Sequence, residues 1–107
     1  MKGLAALHCQ PLEGQAAMKA PDIAAHLLQV EGWALIDGAI EKAFRFADFQ
    51  RTMAFVNAVA GIAQREDHHP DVAFGYNRCT LRFTTHSVGG ISLNDFICAA
   101  KVDPLGT

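Results

Sequence analysis

Three segments with helical spacing of apolar residues alternate with two pairs of segments that read as strands. In chain order these are a helix over residues 21–31, strands over 33–36 and 39–46, a helix over 49–64, strands over 72–76 and 79–85, and a helix after Ser92. Consecutive strands joined by short turns pair antiparallel, so this order predicts the α+β class. We expect a four-stranded antiparallel sheet with three helices on one face, in the order α-β-β-α-β-β-α.

Capping and turn residues indicate where several of these segments begin and end. Pro21 suits the first turn of a helix, where a missing N–H costs nothing, and Gly32 is a natural C-terminal stop. Asp37-Gly38 is typical of a two-residue hairpin turn, and Asp48 is a good N-cap for the long helix. Local chemistry and apolar periodicity therefore predict the same boundaries.

The length of 107 residues corresponds to one domain. Residues 1–19 show no periodicity, so we expect a loose N-terminal arm before a single domain over residues 20–107. The first apolar run stops at His8, which is too short for a secretory signal. No stretch approaches the roughly 20 apolar residues of a membrane span.

Charge and cysteine content narrow the range of partners and compartments. The formal net charge is −2, which gives no electrostatic argument for nucleic acid binding. The three cysteines, Cys9, Cys79 and Cys98, are odd in number and form no CxxC pair. They suit a reducing compartment better than a disulfide framework. We expect a soluble cytoplasmic protein without membrane or nucleic acid partners.

Three of the five histidines, His68, His69 and His86, lie within nineteen residues. An imidazole exchanges protons near neutral pH, because its unperturbed pKa is about 6.5. His68 and His69 follow the long helix in a loop, and Pro70 favours an extended backbone at His69, so the two rings should point in different directions. His86 is expected to close its strand on the polar face, where a returning hairpin can bring all three rings to one pocket.

Other interpretations of these residues have to be weighed beside proton transfer. Three histidines can bind zinc with water as the fourth ligand, but adjacent histidines rarely converge on one ion, and no HExxH motif or cysteine pair assists. Isolated histidines are also common surface residues, as we expect for His26. His8-Cys9 could be half of a metal site, but no matching pair follows, so an incidental tail is the stronger interpretation.

The neighbours of the histidines also have structural interpretations. Ser92-Leu93-Asn94-Asp95 fits a capping box, in which Asp95 serves backbone N–H groups, although Asp95 could equally orient a histidine. Tyr76 is more easily explained as hairpin core than as a catalyst. Glu66 and Asp67 are by default a solvated helix end.

The spacing of His68-His69-Pro70, Tyr76, His86 and Asp95 resembles the signature of the pterin-4a-carbinolamine dehydratase family. The resemblance covers the chain from Pro21 onward. Further residues similar to those of the family are Gly32-Trp33, Phe46-Ala47-Asp48-Phe49, Phe55 and Thr84-Thr85-His86. One position departs, because Gln64 stands where the family usually carries an acidic or other ionisable side chain. Glu66 and Asp67 are candidate substitutes for that group.

This resemblance implies dehydration of 4a-hydroxytetrahydropterin to quinonoid dihydropterin, which recycles the cofactor of aromatic amino acid hydroxylases. It implies that His68, His69 and His86 share the acid, base and positioning roles. Their assignment to individual roles stays open. The resemblance implies neither a metal nor a redox cofactor. It also implies that the protein forms a homodimer or a homotetramer. The substrate-binding residues implied are His68, His69, Pro70, Thr85, His86, Ser87 and Val88, with Asp95 behind them orienting a histidine.

A second function of another class follows from the same resemblance. Some family members also act as dimerisation partners of a transcription factor. The chain is then a binding module with a vestigial pterin pocket. The intact three-histidine pattern argues against a lost activity, whereas Gln64 is compatible with it.

Overall fold

The chain folds into an open sheet covered by helices, as seen in a computed structural model that describes residues 3–106. The elements are α1 (Ala20–Leu27), β1 (Ala34–Ile36), β2 (Ala39–Arg45), α2 (Phe49–Glu66), β3 (Asp71–Phe74), β4 (Arg78–Phe83) and α3 (Leu93–Val102). The strand order is β1-β2-β4-β3, and every neighbouring pair is antiparallel. The predicted α+β class and the order of its elements are confirmed.

The core lies between the central strands and the helices. On β2 and β4, Ile40 pairs with Phe83 and Lys42 pairs with Leu81, and the apolar members of these pairs are buried. The helices and the loop after α1 contribute further buried residues, namely Ile23, Val30, Phe55, Val59, Phe96 and Val102. Within residues 3–106, none of the helices is both long and apolar enough to span a membrane.

Several local signals have the predicted geometry. Asp37 and Gly38 both have positive φ, 49° and 80°, as a type I′ hairpin turn requires. Asp48 caps α2, because its Oδ1 accepts a hydrogen bond from the Arg51 N–H at 2.8 Å. Ser92 and Asp95 form the complete capping box of α3. These short-range interactions therefore fix three of the element boundaries.

Other boundaries differ from the prediction. Helix α1 ends at Leu27 rather than at residue 31, because the Val30 N–H bonds to the Leu27 oxygen in a turn that still buries Val30. Strand β4 ends at Phe83, since Thr85 pairs with Gly90 and closes a loop. The prediction that His86 closes the strand is wrong, because it begins a short 3₁₀ helix.

Tyr76 is also not hairpin core. It lies in the β3–β4 turn, is 64% exposed and stacks on Phe49 with ring centroids 6.4 Å apart. The alternation with the residues of β3 predicted that Tyr76 faces the core. The strand ends two residues before Tyr76, so the alternation does not extend to it.

The N-terminal segment makes specific contacts with the rest of the chain. Leu4 packs against the core, and Lys101 of α3 donates a hydrogen bond to the Ala5 oxygen at 2.8 Å. Further along, the Met18 N–H bonds to the Ile91 oxygen at 2.7 Å. The division of the chain into an arm over 1–19 and a domain over 20–107 stays a prediction, but residues 3–19 are attached at both ends.

Candidate active site

A polar cavity of about 280 Å³ lies where four parts of the chain meet. These parts are the end of α2, the loop after β4, the first turn of α3 and the N-terminal segment. The lining consists of Cys9, Gln10, Pro11, Leu12, Glu13, Glu66, Asp67, His68, Thr85, Ser87 and Asn94. The volume is close to the lower end of small-molecule sites, roughly 300 Å³.

His68 is placed in this cavity by the way α2 ends. Asp67 adopts a left-handed conformation with φ 51°, and the His68 N–H bonds back to the Ala63 oxygen at 3.2 Å. The imidazole then stacks on Phe83 of β4, with ring centroids 5.9 Å apart and an interplanar angle of 11°. Only 11% of the His68 side chain is exposed. Helix and sheet thus hold the ring on two sides.

Asp95 completes the environment of His68. Its carboxylate is fully buried, and Oδ1 lies 2.6 Å from His68 Nε2. Oδ2 accepts hydrogen bonds from the Thr85 hydroxyl at 2.8 Å and from the Ser92 N–H at 2.9 Å. The two interpretations of Asp95 therefore both hold, because one oxygen caps α3 while the other contacts the histidine.

This arrangement limits the tautomer of His68. A carboxylate that accepts hydrogen bonds at both oxygens requires the His68 proton on Nε2. In the neutral ring Nδ1 then carries the lone pair and can accept a proton. The charge of the resulting imidazolium would be offset by Asp95, as in other carboxylate–histidine pairs.

Glu66 is not a solvated helix end, contrary to the prediction. Its side chain is only 6% exposed. It accepts a hydrogen bond from the Cys9 N–H at 2.8 Å and lies 2.9 Å from His8 Nδ1. Burial by itself raises the pKa of Glu66, but these two hydrogen bonds and the charge of Lys101 outweigh it and hold the pKa below its ordinary value. Glu66 is therefore a charged anchor for the N-terminal segment.

His69 and Pro70 lie in a different cavity. This second cavity has a volume of about 250 Å³, and the rest of its lining is mainly apolar: Val56, Val59, Ala60, Ala63, Gln64 and Val72. His69 is exposed. Gln64, the residue that departs from the family pattern, is therefore beside His69 and not in the polar cavity that contains His68.

His86 lines neither of these two cavities. It is exposed at the start of the 3₁₀ helix His86–Val88, whereas Ser87 of the same turn lines the polar cavity. The structure thus brings together His68, Thr85 and Ser87, with Asp95 behind them. It does not bring His69 and His86 into the same cavity.

Sequence reasoning missed the contribution of residues 9–13 and of Asn94 to the cavity. No periodicity or motif marks residues 9–13, and Asn94 lies within the Ser92–Asp95 capping box without being one of its two capping side chains. Among the residues that the structure describes, no group of three or more histidine, cysteine, aspartate or glutamate side chains is arranged to hold a metal ion.

Comparison with known families adds to this geometry. The family model described as pterin 4 alpha carbinolamine dehydratase matches residues 16–105. The chain belongs to this family. The match includes the histidine pair, the loop after β4 and α3, but it begins after residues 9–13, which line the other side of the polar cavity.

Individual relatives agree with this membership. A Nitrosospira multiformis protein, provisionally named a pterin-4-alpha-carbinolamine dehydratase, is 50% identical over 103 residues, which are 95% of this chain and 91% of that protein. A Xanthomonas campestris pv. campestris protein with the same name is 54% identical over 101 residues, 92% of this chain and 86% of the relative.

A solved structure of the same kind shares the fold. It is a transcriptional coactivator/pterin dehydratase from Brucella melitensis, with 29% sequence identity and a TM-score of 0.82. The similarity covers 85% of this chain and 99% of the Brucella chain.

Proposed function

We propose that this chain catalyses the dehydration of 4a-hydroxytetrahydropterin to quinonoid dihydropterin and water. The observation that carries the proposal is the His68–Asp95 pair, with 2.6 Å between Nε2 and Oδ1, at the edge of a polar cavity in a member of this family. In this role the protein recycles the cofactor of an aromatic amino acid hydroxylase.

The reaction needs two proton transfers. The hydroxyl group on carbon 4a leaves as water only after it gains a proton, and the adjacent ring nitrogen loses its own proton as the new carbon–nitrogen double bond forms. Groups with a pKa near the working pH accelerate such transfers by roughly 10²–10⁴-fold each. The two transfers balance, so the enzyme needs no external oxidant or reductant.

We assign the base role to His68. Its Nδ1 accepts the ring-nitrogen proton, and the Asp95 carboxylate offsets the positive charge that develops on the imidazole. The pair is also rigid, because Asp95 is held by Thr85 and Ser92 and the ring is held by Phe83. A fixed base reaches its substrate without a further ordering cost.

In this proposal His69 and His86 are assigned the acid and positioning roles, from outside the polar cavity that contains His68. Both rings are exposed and therefore exchange protons with solvent readily, which suits an acid that must be recharged after every turnover. In this proposal Thr85 and Ser87 shape the pterin site directly, because they line the polar cavity beside His68. Pro70 and Val88 contribute only by positioning their neighbours, since Pro70 lies in the second cavity.

Stopped-flow measurement of carbinolamine decay, with and without the protein, tests the proposal. Wild-type protein should accelerate the decay, and His69→Ala and His86→Ala should each reduce kcat at least about 100-fold. His26→Ala is the matched control, because His26 lies on α1 and lines neither cavity. If neither active-site variant slows the decay, the assignment is wrong.

A binding function without catalysis is the second candidate. The description of the Brucella melitensis neighbour as a coactivator as well as a dehydratase favours it. In that case the chain would act as a dimerisation partner of a regulatory protein, with a vestigial pterin pocket. Wild-type protein that leaves carbinolamine decay unchanged would support this candidate over the enzyme.

We also propose that the protein is a cytoplasmic homodimer or homotetramer. Both edge strands carry exposed apolar side chains, Leu35 and Ile36 on β1 and Val72 and Phe74 on β3. Exposed apolar edges favour association. The free thiol state of all three cysteines suits a reducing compartment. Light scattering at micromolar concentration should give the mass of a dimer or a tetramer, and a monomer alone would contradict this.

A further inference from the structure

One side of the polar cavity comes from a part of the chain that is remote in sequence from the histidines. Residues 9–13, here called the N-terminal wall, supply five of the lining residues. The next lining residue along the sequence is Glu66. The wall contains two polar side chains, Gln10 and Glu13, and both residues are exposed. It faces a cavity that also contains His68, so its position sets the width of that cavity.

Asn94 fixes the wall to α3. Its Oδ1 accepts a hydrogen bond from the Gln10 N–H at 3.1 Å, and its Nδ2 donates one to the Gln10 oxygen at 2.8 Å. The side-chain amide thus satisfies both polar backbone groups of one wall residue, as a neighbouring strand would. Asn94 is itself buried.

Three further contacts hold the wall at Cys9, and one of them is a hydrogen bond from the Cys9 thiol to the Asn94 backbone oxygen at 3.6 Å. The Glu66 carboxylate accepts a hydrogen bond from the Cys9 N–H, as described above. The Cys9 thiol also lies 3.6 Å from the sulfur of Cys98, in the buried part of α3. The hydrogen bond with Cys9 and, after it, burial raise the pKa of the Cys98 thiol, so Cys98 stays a neutral thiol. Beyond the wall, the Met18 N–H donates a hydrogen bond to the Ile91 oxygen.

The same turn of α3 controls both sides of the cavity. Asp95 holds His68, and the residue before it, Asn94, holds the wall. The spacing between the wall and the imidazole is therefore set by two consecutive residues of one helix. A change at Asn94 should move the wall without changing the hydrogen bonds of His68.

We infer that residues 9–13 form a substrate-binding wall of the pterin site and that Asn94 is its positioning residue. The inference rests on the proposed function and deepens it. The pyrimidine edge of a pterin carries an amino group, an N–H and a carbonyl oxygen, and the amide of Gln10 and the carboxylate of Glu13 offer complementary groups. The wall binds the substrate, while proton transfer stays with the histidines.

The experiment compares Asn94→Ala with wild-type protein in full-length chains. Losing both hydrogen bonds to Gln10 should raise KM for the carbinolamine about tenfold and leave kcat within about twofold. The dissociation constant of 7,8-dihydrobiopterin should rise by the same factor. Asn94→Asp keeps the acceptor for the Gln10 N–H and should give an intermediate value, and Asn57→Ala on the exposed face of α2 is the matched control.

Each result decides the inference. A folded Asn94→Ala protein with unchanged KM and unchanged dissociation constant would overturn it, as would a fall in kcat alone, which would mean that Asn94 acts through Asp95. If Asn94→Ala does not fold, the intermediate effect of Asn94→Asp on KM carries the test. Wild-type protein that binds the pterin without dehydrating it would refute the proposed function, and the dissociation constants would still test the wall.

Discussion

His68 and His69 are adjacent in sequence but lie in very different environments. The His68 side chain is almost buried, stacks on Phe83 and contacts the buried Asp95 carboxylate. His69 is exposed and borders a mainly apolar cavity on the other side of the loop. The left-handed turn at Asp67 sets the direction in which the loop leaves α2, and the extended backbone that Pro70 favours at His69 points the two rings apart.

The difference shows how one dipeptide can place two imidazoles in different environments. A histidine held by a buried carboxylate has a fixed tautomer and orientation, whereas an exposed histidine exchanges protons freely with water. Substitutions at the two positions should therefore differ in their effect on stability even where both reduce activity. The three predictions below test this contrast and its supporting residues, from the largest expected effect to the smallest.

Asp95→Ala should cause the largest loss of stability, about 3 kcal/mol or more, because three donors lose a buried acceptor. Asp48→Ala is the matched control. It removes a carboxylate that also caps a helix, but Asp48 is only half-buried, and the expected loss is about 1 kcal/mol. Urea denaturation measures both. Equal losses would show that Asp95 acts only as a cap and that its contact with His68 contributes little.

His68→Ala and His69→Ala should separate stability from activity. His68→Ala removes the ring that packs on Phe83 and leaves Asp95 with one donor fewer, so the free energy of unfolding should fall by about 1–3 kcal/mol. His69→Ala changes an exposed side chain and should stay within about 0.5 kcal/mol of wild type.

Both variants should lose at least about 100-fold in kcat if each ring transfers a proton. Parallel denaturation and stopped-flow measurements on the same preparations check the pair. If His69→Ala destabilised the protein as strongly as His68→Ala, the contrast between the two rings would be wrong.

Glu66→Gln tests the anchor of the N-terminal wall and should have the smallest effect. The pKa of Glu66 in the folded protein lies below its ordinary value of 4.5, so the folded state favours the carboxylate. The resulting stabilisation is complete above pH 4.5 and is lost as the pH falls through the lower folded pKa. At pH 7 the variant should be less stable than wild type by about 1 kcal/mol.

This difference should shrink as the solution is acidified, because wild-type protein loses the contribution and the variant has none to lose. Denaturation at a series of pH values from 7 downward measures it. Glu31→Gln, at an exposed glutamate, should run parallel to wild type throughout. A difference between Glu66→Gln and wild type that does not change with pH would mean that packing rather than charge holds the Cys9 N–H.

The fold and part of the site could be predicted because their determinants are local. The type I′ turn at Asp37-Gly38, the Asp48 cap and the Ser92 capping box each depend on residues within four positions, and all three are present. His68 was identified by its motif. Tyr76 and His86 were misplaced because alternation was extended past the points where β3 and β4 end.

Sequence by itself determined the α+β class, the antiparallel pairing of the strands and the histidine motif that resembles the pterin-4a-carbinolamine dehydratase family. Only the tertiary structure decided that Asp95 contacts His68 while capping α3, that His69 borders a separate cavity, and that Glu66 and Asn94 hold residues 9–13 against the site. The physical reason is range. Turns and caps are made by neighbours in sequence, whereas these contacts join residues 27 to 84 positions apart, and no local pattern encodes such pairs.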